Sequence, residues 1–194
     1  NELKLQRGIK VDGNSEIEIT NIYSYNFTVA FWFRLSAAQF YEDKMIHFYS
    51  NSTPLLSIFF ANTDYSGGST FGPTTYSLNQ NDTSYFTINS NTSGSNAGYR
   101  YNTGVQINVN QIYHLAIVHD DYNSTTKFYL NNQVIKTLTS NRYNTTINKF
   151  ILGRFFNGMF DDLRIYSNNL SSELIDNLYN YRPDNDLEPE PEPE

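Results

Sequence analysis

The segment at residues 149–180, KFILGRFFNGMFDDLRIYSNNLSSELIDNLYN, constrains the fold more than any other part of the chain. An apolar run at 150–152 leads through Gly153 and Gly158 into a second strand at 160–166. The period then changes. Ser171 or Ser172 can cap a helix, and Glu173 suits its first turn, beside backbone N–H groups that lack partners. Leu170, Leu174 and Leu178 recur at steps of four, with Ile175 and Tyr179 widening the stripe. A helix this short does not stand alone in water, so it is expected to dock on a sheet edge or sandwich rim.

Upstream, strand follows strand. Short alternating runs at 3–5 and 9–11 precede Glu16-Ile17-Glu18-Ile19, a half-buried strand ending near Thr20. Residues 27–35, FTVAFWFRL, carry the strongest signal. Phe27, Val29, Phe31, Phe33 and Leu35 share one face, and Thr28, Ala30, Trp32 and Arg34 share the other. Both faces are mostly apolar, which places this strand centrally. Strands at 44–49 and 55–61 flank the turn at 50–54, and 111–119 reads as a buried strand. Residues 127–130 and 134–138 form a hairpin around Asn131-Asn132, whose side chains tolerate the left-handed backbone of a tight turn.

Between 62 and 104 the texture is Gly, Ser, Thr and Asn, with turn signals at Gly67-Gly68 and Gly72-Pro73. Strands are expected at 84–88 and 98–101, with 75–78 a further candidate. Interspersed tyrosines argue against disorder, and decorated loop regions of this kind carry binding groups. Residues 1–182 therefore read as one domain, and 183–194 as an acidic Glu/Pro linker or tail with extended geometry. The formal charge of -7 owes six acids to that tail; before Pro183, 14 acids face 13 bases, and no basic stripe suits a nucleic acid. With no Cys, thiol catalysis, disulfides and Cys-based zinc sites are excluded. No apolar run is long enough to insert in a membrane. Asn-x-Ser/Thr sequons occur at Asn26, Asn51, Asn81, Asn91, Asn123, Asn144 and Asn169, a small excess over the roughly five that composition alone predicts.

Two antiparallel layers with one late helix make an all-β sandwich. Val11-Asp12-Gly13, the strand ahead of Arg34, the strand at 113–118 before an acidic turn, the hairpin at 128–134, and Gly158-Met159-Phe160-Asp161-Asp162-Leu163-Arg164-Ile165-Tyr166 with Leu170-Ser171 together resemble the laminin-G-like, concanavalin A-like jelly-roll domains. The resemblance runs from about Leu3 to Tyr179. One departure is Tyr113, where the family commonly has Trp. The resemblance implies a two-sheet jelly-roll sandwich with a short C-terminal helix, acting outside the cell or at its surface as a non-catalytic module for a glycan or protein ligand. Neighbouring domains of the same polypeptide are implied partners. A purely structural, self-associating domain is the alternative, and glycoside hydrolysis a remote one, because fold alone does not fix function.

Glycosidases need two facing carboxyl groups, about 5–9.5 Å apart depending on mechanism. Glu16 and Glu18 share a strand face that reads as solvated. Asp161 and Asp162 are adjacent and point to opposite sides, one suited to a backbone bond and the other to Arg164. Neither pair makes a catalytic couple, so no enzyme is expected. Calcium takes six to eight oxygens and tolerates irregular loops. Asp120, Asp121 and Asn123 are candidate ligands in one turn, with Asp43 and Asp64 as further acids; the resemblance implies calcium at a sandwich rim. For a sugar, Tyr65, Tyr76, Tyr99 and Tyr101 offer ring faces, and Arg100 and Asn102 offer hydrogen bonds to hydroxyls. His114 reads as a hydrogen-bonded core group, with His47 and His119 near strand ends.

Overall fold

A computed structural model describes residues 8–12, 15–36, 44–61, 67–70, 84–90, 97–139, 142–154 and 156–181. Its strands are β1 (Ile9–Asp12), β2 (Ile17–Ser24), β3 (Phe27–Leu35), β4 (Lys44–Ser50), β5 (Thr53–Ala61), β6 (Gly67–Thr70), β7 (Ser84–Ser90), β8 (Ala97–Ile107), β9 (Ile112–Asp120), β10 (Thr125–Leu130), β11 (Gln133–Thr139), β12 (Ile147–Leu152) and β13 (Asn157–Tyr166), followed by helix α1 (Ser172–Asn180). They form a six-stranded sheet, β1-β13-β3-β9-β10-β11, and a seven-stranded sheet, β2-β12-β4-β5-β7-β8-β6, with antiparallel pairing throughout. The chain crosses between sheets at β1–β2, β2–β3, β3–β4, β8–β9, β11–β12 and β12–β13. This is a jelly-roll sandwich.

Phe27, Val29, Phe31, Phe33 and Leu35 of β3 point into the space between the sheets, against Phe48, Phe60, Phe86, Phe128 and Phe150. β3 lies between β13 and β9, the central place that its two apolar faces demand. Tyr113 stacks on Phe33 at 5.5 Å, and its hydroxyl oxygen accepts from the Asn108 backbone N–H at 2.9 Å. Tyrosine thus supplies both area and an acceptor for that buried end of the strand. Asn131 and Asn132 both take positive φ, 48° and 65°, as a two-residue hairpin turn requires.

The second face of β3 is covered by α1. Ser171 caps the helix, its hydroxyl oxygen accepting from the Leu174 N–H. Ile175 and Leu178 are buried against Ala30, Ala116, Val118 and Tyr129, with Tyr166 and Leu170 at the margin. Tyr179 stacks on Trp32 at 5.6 Å. The helix therefore lies on the outer face of the six-stranded sheet, not on an edge or rim. Ala30 and Ala116 leave room for it there, and Leu174, expected in the stripe, is exposed.

Other boundaries moved. Gly67-Gly68 belongs to an edge strand instead of a turn, and Gly158 sits inside β13. β2, β7 and β8 outrun their expected lengths. Residues 3–5, 75–78 and 183–194 lie outside the described residues. A bulge at residues 161–163 lets Asp161 pair with Trp32 and Arg164 with Ala30, with Asp162 at φ 46°. Asp161 Oδ1 accepts from the Asp162 N–H, and Arg164 Nε donates to Asp162 Oδ1 at 2.8 Å. The two acids divide as expected between a backbone bond and Arg164. Among the described residues, no helix is long and apolar enough to cross a membrane.

Candidate functional site

Four connections meet at one end of the sandwich, where hydrogen bonds tie them together. The Ser24 hydroxyl donates to the carbonyls of Asn26 and Ser167, and Thr28 Oγ1 donates to the Asn168 carbonyl. The Asp121 N–H donates to Asn26 Oδ1 at 2.8 Å, linking the β2–β3 connection to the β9–β10 turn. Arg142 joins them from the β11–β12 connection. Loops fixed in this way offer groups with little left to order upon binding.

Asp120 and Asp121 face different partners. Asp120 Oδ1 accepts from the Asn123 N–H at 2.9 Å; Oδ2 accepts from Asn123 Nδ2 at 2.8 Å and from Asn169 Nδ2 at 2.7 Å. Partial burial pushes its pKa upward, but these bonds from Asn123 and Asn169 prevail and hold it below the usual value. Asp121 is buried, with Oδ2 held by Arg142 Nε at 3.1 Å. Its Oδ1 lies 3.8 Å from His119 Nε2, and neither atom has a hydrogen-bond partner among the described residues. The His119 ring packs between Phe27 and Tyr143, with Nδ1 2.8 Å from Thr126 Oγ1. Burial lowers its pKa to about 4 against the pull of Asp121 and Asp120.

This turn was the candidate calcium site. Its two acids turn to different partners, and no three His, Asp or Glu side chains among the described residues gather around one point. Asp43 and Asp64 lie outside the described residues. What the turn does show is a buried carboxylate dependent on one guanidinium. Arg142→Ala is expected to cost about 1–3 kcal/mol, because Asp121 keeps its burial and loses its charged donor. Urea unfolding checks this; a loss below a few tenths would mean that water already serves Asp121.

The other candidates fall on or near β8. Tyr65 and Tyr76 lie outside the described residues. Tyr99, Arg100, Tyr101 and Asn102 are consecutive in β8, where Tyr99 pairs with Ser90, Arg100 with Asn89, Tyr101 with Ile88 and Asn102 with Thr87. Tyr101 packs against the core, with Lys136 Nζ 5.4 Å from its ring centre. Arg100, paired on its other side with Gly67 of β6, belongs to a row running across the sheet through Asn89, Ser57, His47 and Ile151 to Glu18. Ser57 and His47 are buried although they face away from the core, and Ser57 Oγ lies 3.2 Å from His47 Nδ1. Sequence reading missed this row; the polar interruptions in MIHFY and LLSIFF were its only trace.

His114 departs from its expected role. Its ring lies beneath the helix between Trp32 at 4.9 Å and Tyr179 at 5.7 Å, and its Nδ1 is buried with no hydrogen-bond partner among the described residues. The carboxylates of Glu16 and Glu18 lie 3.7 Å from Arg154 and Lys149 on a half-exposed surface, as a solvated face requires.

In sequence, the family model described as the concanavalin A-like lectin/glucanases superfamily matches residues 10–176. No curated protein matches the chain. Among solved structures, a native heptameric SAP-like pentraxin from Limulus polyphemus aligns with a TM-score of 0.62 at 13% identity, over 89% of this chain and 81% of that one. Domain 4 of AbnA, a GH43 extracellular arabinanase from Geobacillus stearothermophilus, in complex with arabinotriose, gives 0.60 at 20% identity, covering 92% and 79%. The binding domain of botulinum neurotoxin DC in complex with SialylT gives 0.58 at 15% identity, covering 92% of this chain and 43% of that one. At these identities the structures are alike in fold.

Proposed function

Since the chain belongs to the concanavalin A-like lectin/glucanases superfamily, we propose that it is a non-catalytic carbohydrate-binding module of a secreted or surface protein. The observation that carries this reading is the sandwich end just described, where four connections hold amide, guanidinium and carboxylate groups in place on a rigid scaffold. Sugars present many hydroxyls and little charge, so such fixed donors and acceptors suit them. The arabinotriose and SialylT complexes of fold neighbours add weight. Against catalysis stand the acids themselves: Glu16, Glu18, Asp121 and Asp162 each face a basic side chain, and Asp120 accepts three N–H groups.

Calcium at Asp120, Asp121 and Asn123 is a secondary proposal. The ion would have to displace the Asn123 and Asn169 amides from Asp120, so affinity on the order of 10⁻³ M is expected, the weak end for extracellular modules. A glycan array run with calcium and again with chelator tests both readings. Binding in both conditions is expected. Binding only with calcium would move the metal to the centre of the site. No binding in either would sink the carbohydrate reading and leave a structural, self-associating domain ahead.

A further inference from the structure

Large aromatic side chains usually find cover, yet three tyrosines at this end of the sandwich do not. Tyr23, Tyr25 and Tyr122 are 65%, 55% and 88% exposed. Tyr25 directly precedes Asn26 and Tyr122 directly follows Asp121, and the Asp121 N–H···Oδ1 Asn26 bond holds those neighbours together. Tyr23 adopts φ 41°, a left-handed conformation that a bulky residue rarely takes and that structures tend to keep where function needs it. Packing does not account for the three rings, because none belongs to the core.

Beside the rings stand polar groups whose internal bonds leave capacity over. Asn123 and Asn169 each use Nδ2 on Asp120, which leaves their amide oxygens as acceptors. Arg142 uses Nε on Asp121, and its side chain is 55% exposed, so its terminal N–H groups remain as donors. Flat rings beside mixed donors and acceptors suit a pyranose, which has one apolar C–H face and a rim of hydroxyls. Charge narrows the class. Among the described residues, Asp120 and Asp121 oppose the single guanidinium of Arg142, so the locality is net negative and disfavours sialylated or sulfated chains.

We propose that Tyr23, Tyr25 and Tyr122 form a stacking platform for a neutral hexopyranosyl glycan, with Arg142, Asn123 and Asn169 bonding its hydroxyls. The proposal rests on the carbohydrate reading above and gives it a place, outside β8 and outside the loop-rich middle of the chain. A protein partner fits less well, since it would have to leave several polar groups of this end unmatched at the centre of its interface.

The test uses the whole chain with Tyr122→Ala, Tyr25→Ala and Tyr23→Asn, the last removing the ring while tolerating the left-handed backbone, together with Tyr122→Trp. The best neutral oligosaccharide from an array, its sialylated counterpart, and phosphatidylcholine vesicles with and without phosphatidylserine are titrated into each. Each ring removal is expected to weaken neutral glycan binding about tenfold with the thermal midpoint unchanged, and Tyr122→Trp to retain or tighten it. If wild type binds neutral glycan and the three ring removals bind equally well, the platform is wrong while the carbohydrate reading survives. If wild type binds no glycan, that reading fails first. Tighter binding of the sialylated form would overturn the neutral class. Vesicle binding lost with the rings, without glycan binding, would assign the patch to a lipid surface.

Discussion

Acidification from pH 7 to pH 4 is expected to remove about 6 kcal/mol of stability, about 3 from each of His114 and His119. Burial under α1, and then the charge of Arg164, lower His114 to about 4. Burial lowers His119 to about 4, with Asp121 and Asp120 opposing. In the unfolded chain both take a proton near pH 6.5. Between those values the unfolded state binds more protons than the folded one, so stability rises with pH there. Its loss starts near pH 6.5 on acidification and is complete near pH 4, below which both states are protonated. A domain of ordinary stability holds about 5–15 kcal/mol, so this loss is a large part of the whole.

Urea unfolding at several pH values measures the slope, and His114→Phe divides it. Phenylalanine suits a site between Trp32 and Tyr179 that offers the imidazole Nδ1 no hydrogen bond. The variant is expected to halve the acid loss without lowering stability at pH 7. A wild-type profile flat between pH 7 and pH 4.5 would overturn both assignments, and a half-sized loss abolished by His114→Phe would show that Asp121 keeps His119 charged.

How much was legible depended on whether side chains or backbone carried the information. β3 and β9 show large apolar residues on both faces, which announced a central place for the first and burial for the second; that the helix covers their outer face was not read from this pattern. The stripe of α1 said that the helix docks but not where: an edge or rim was expected, and the packing over Ala30 and Ala116, small residues on those two strands, came from the structure. β6 was hidden because GGST has the composition of a turn, yet edge pairing to β8 needs only its N–H and C=O groups. β8 extends to Ile107 through residues whose polarity broke the expected alternation. The candidate site was the least legible part. Asn26 and Asp121 are 95 positions apart, so no local pattern could bring these neighbours of Tyr25 and Tyr122 together. The acidic turn was visible from its composition, but its role as a tie between connections was not, because Asn169, Arg142 and Asn26 come from three other places in the chain.

Gly158→Ala is expected to cost about 3–5 kcal/mol, the range of severe overpacking against backbone. A Cβ at Gly158 would lie 2.2 Å from the Arg34 carbonyl oxygen and 2.5 and 2.8 Å from two ring carbons of Phe156. Neither neighbour gives way cheaply. The carbonyl belongs to β3, held on both sides by β13 and β9. Phe156 is fully buried, stacked on Phe160 at 4.6 Å and close to Phe60 of the opposite sheet at 6.1 Å. The methyl group would therefore push β13 away from β3 at Gly158↔Leu35 and disturb its pairing with β1 at Val11↔Gly158. Gly104→Ala is the matched control. Gly104 has φ 71° but open space around its missing Cβ, so it should lose only the conformational cost of about 1–2 kcal/mol. Denaturant midpoints of the two variants separate contact from conformation. If Gly158→Ala costs no more than Gly104→Ala, then β13 and β3 are not as closely apposed as described. A large excess would identify the glycine of the GMFDDLRIY run as the residue that lets the closing strand reach the centre of its sheet, and with it the base on which the helix and the binding end are set.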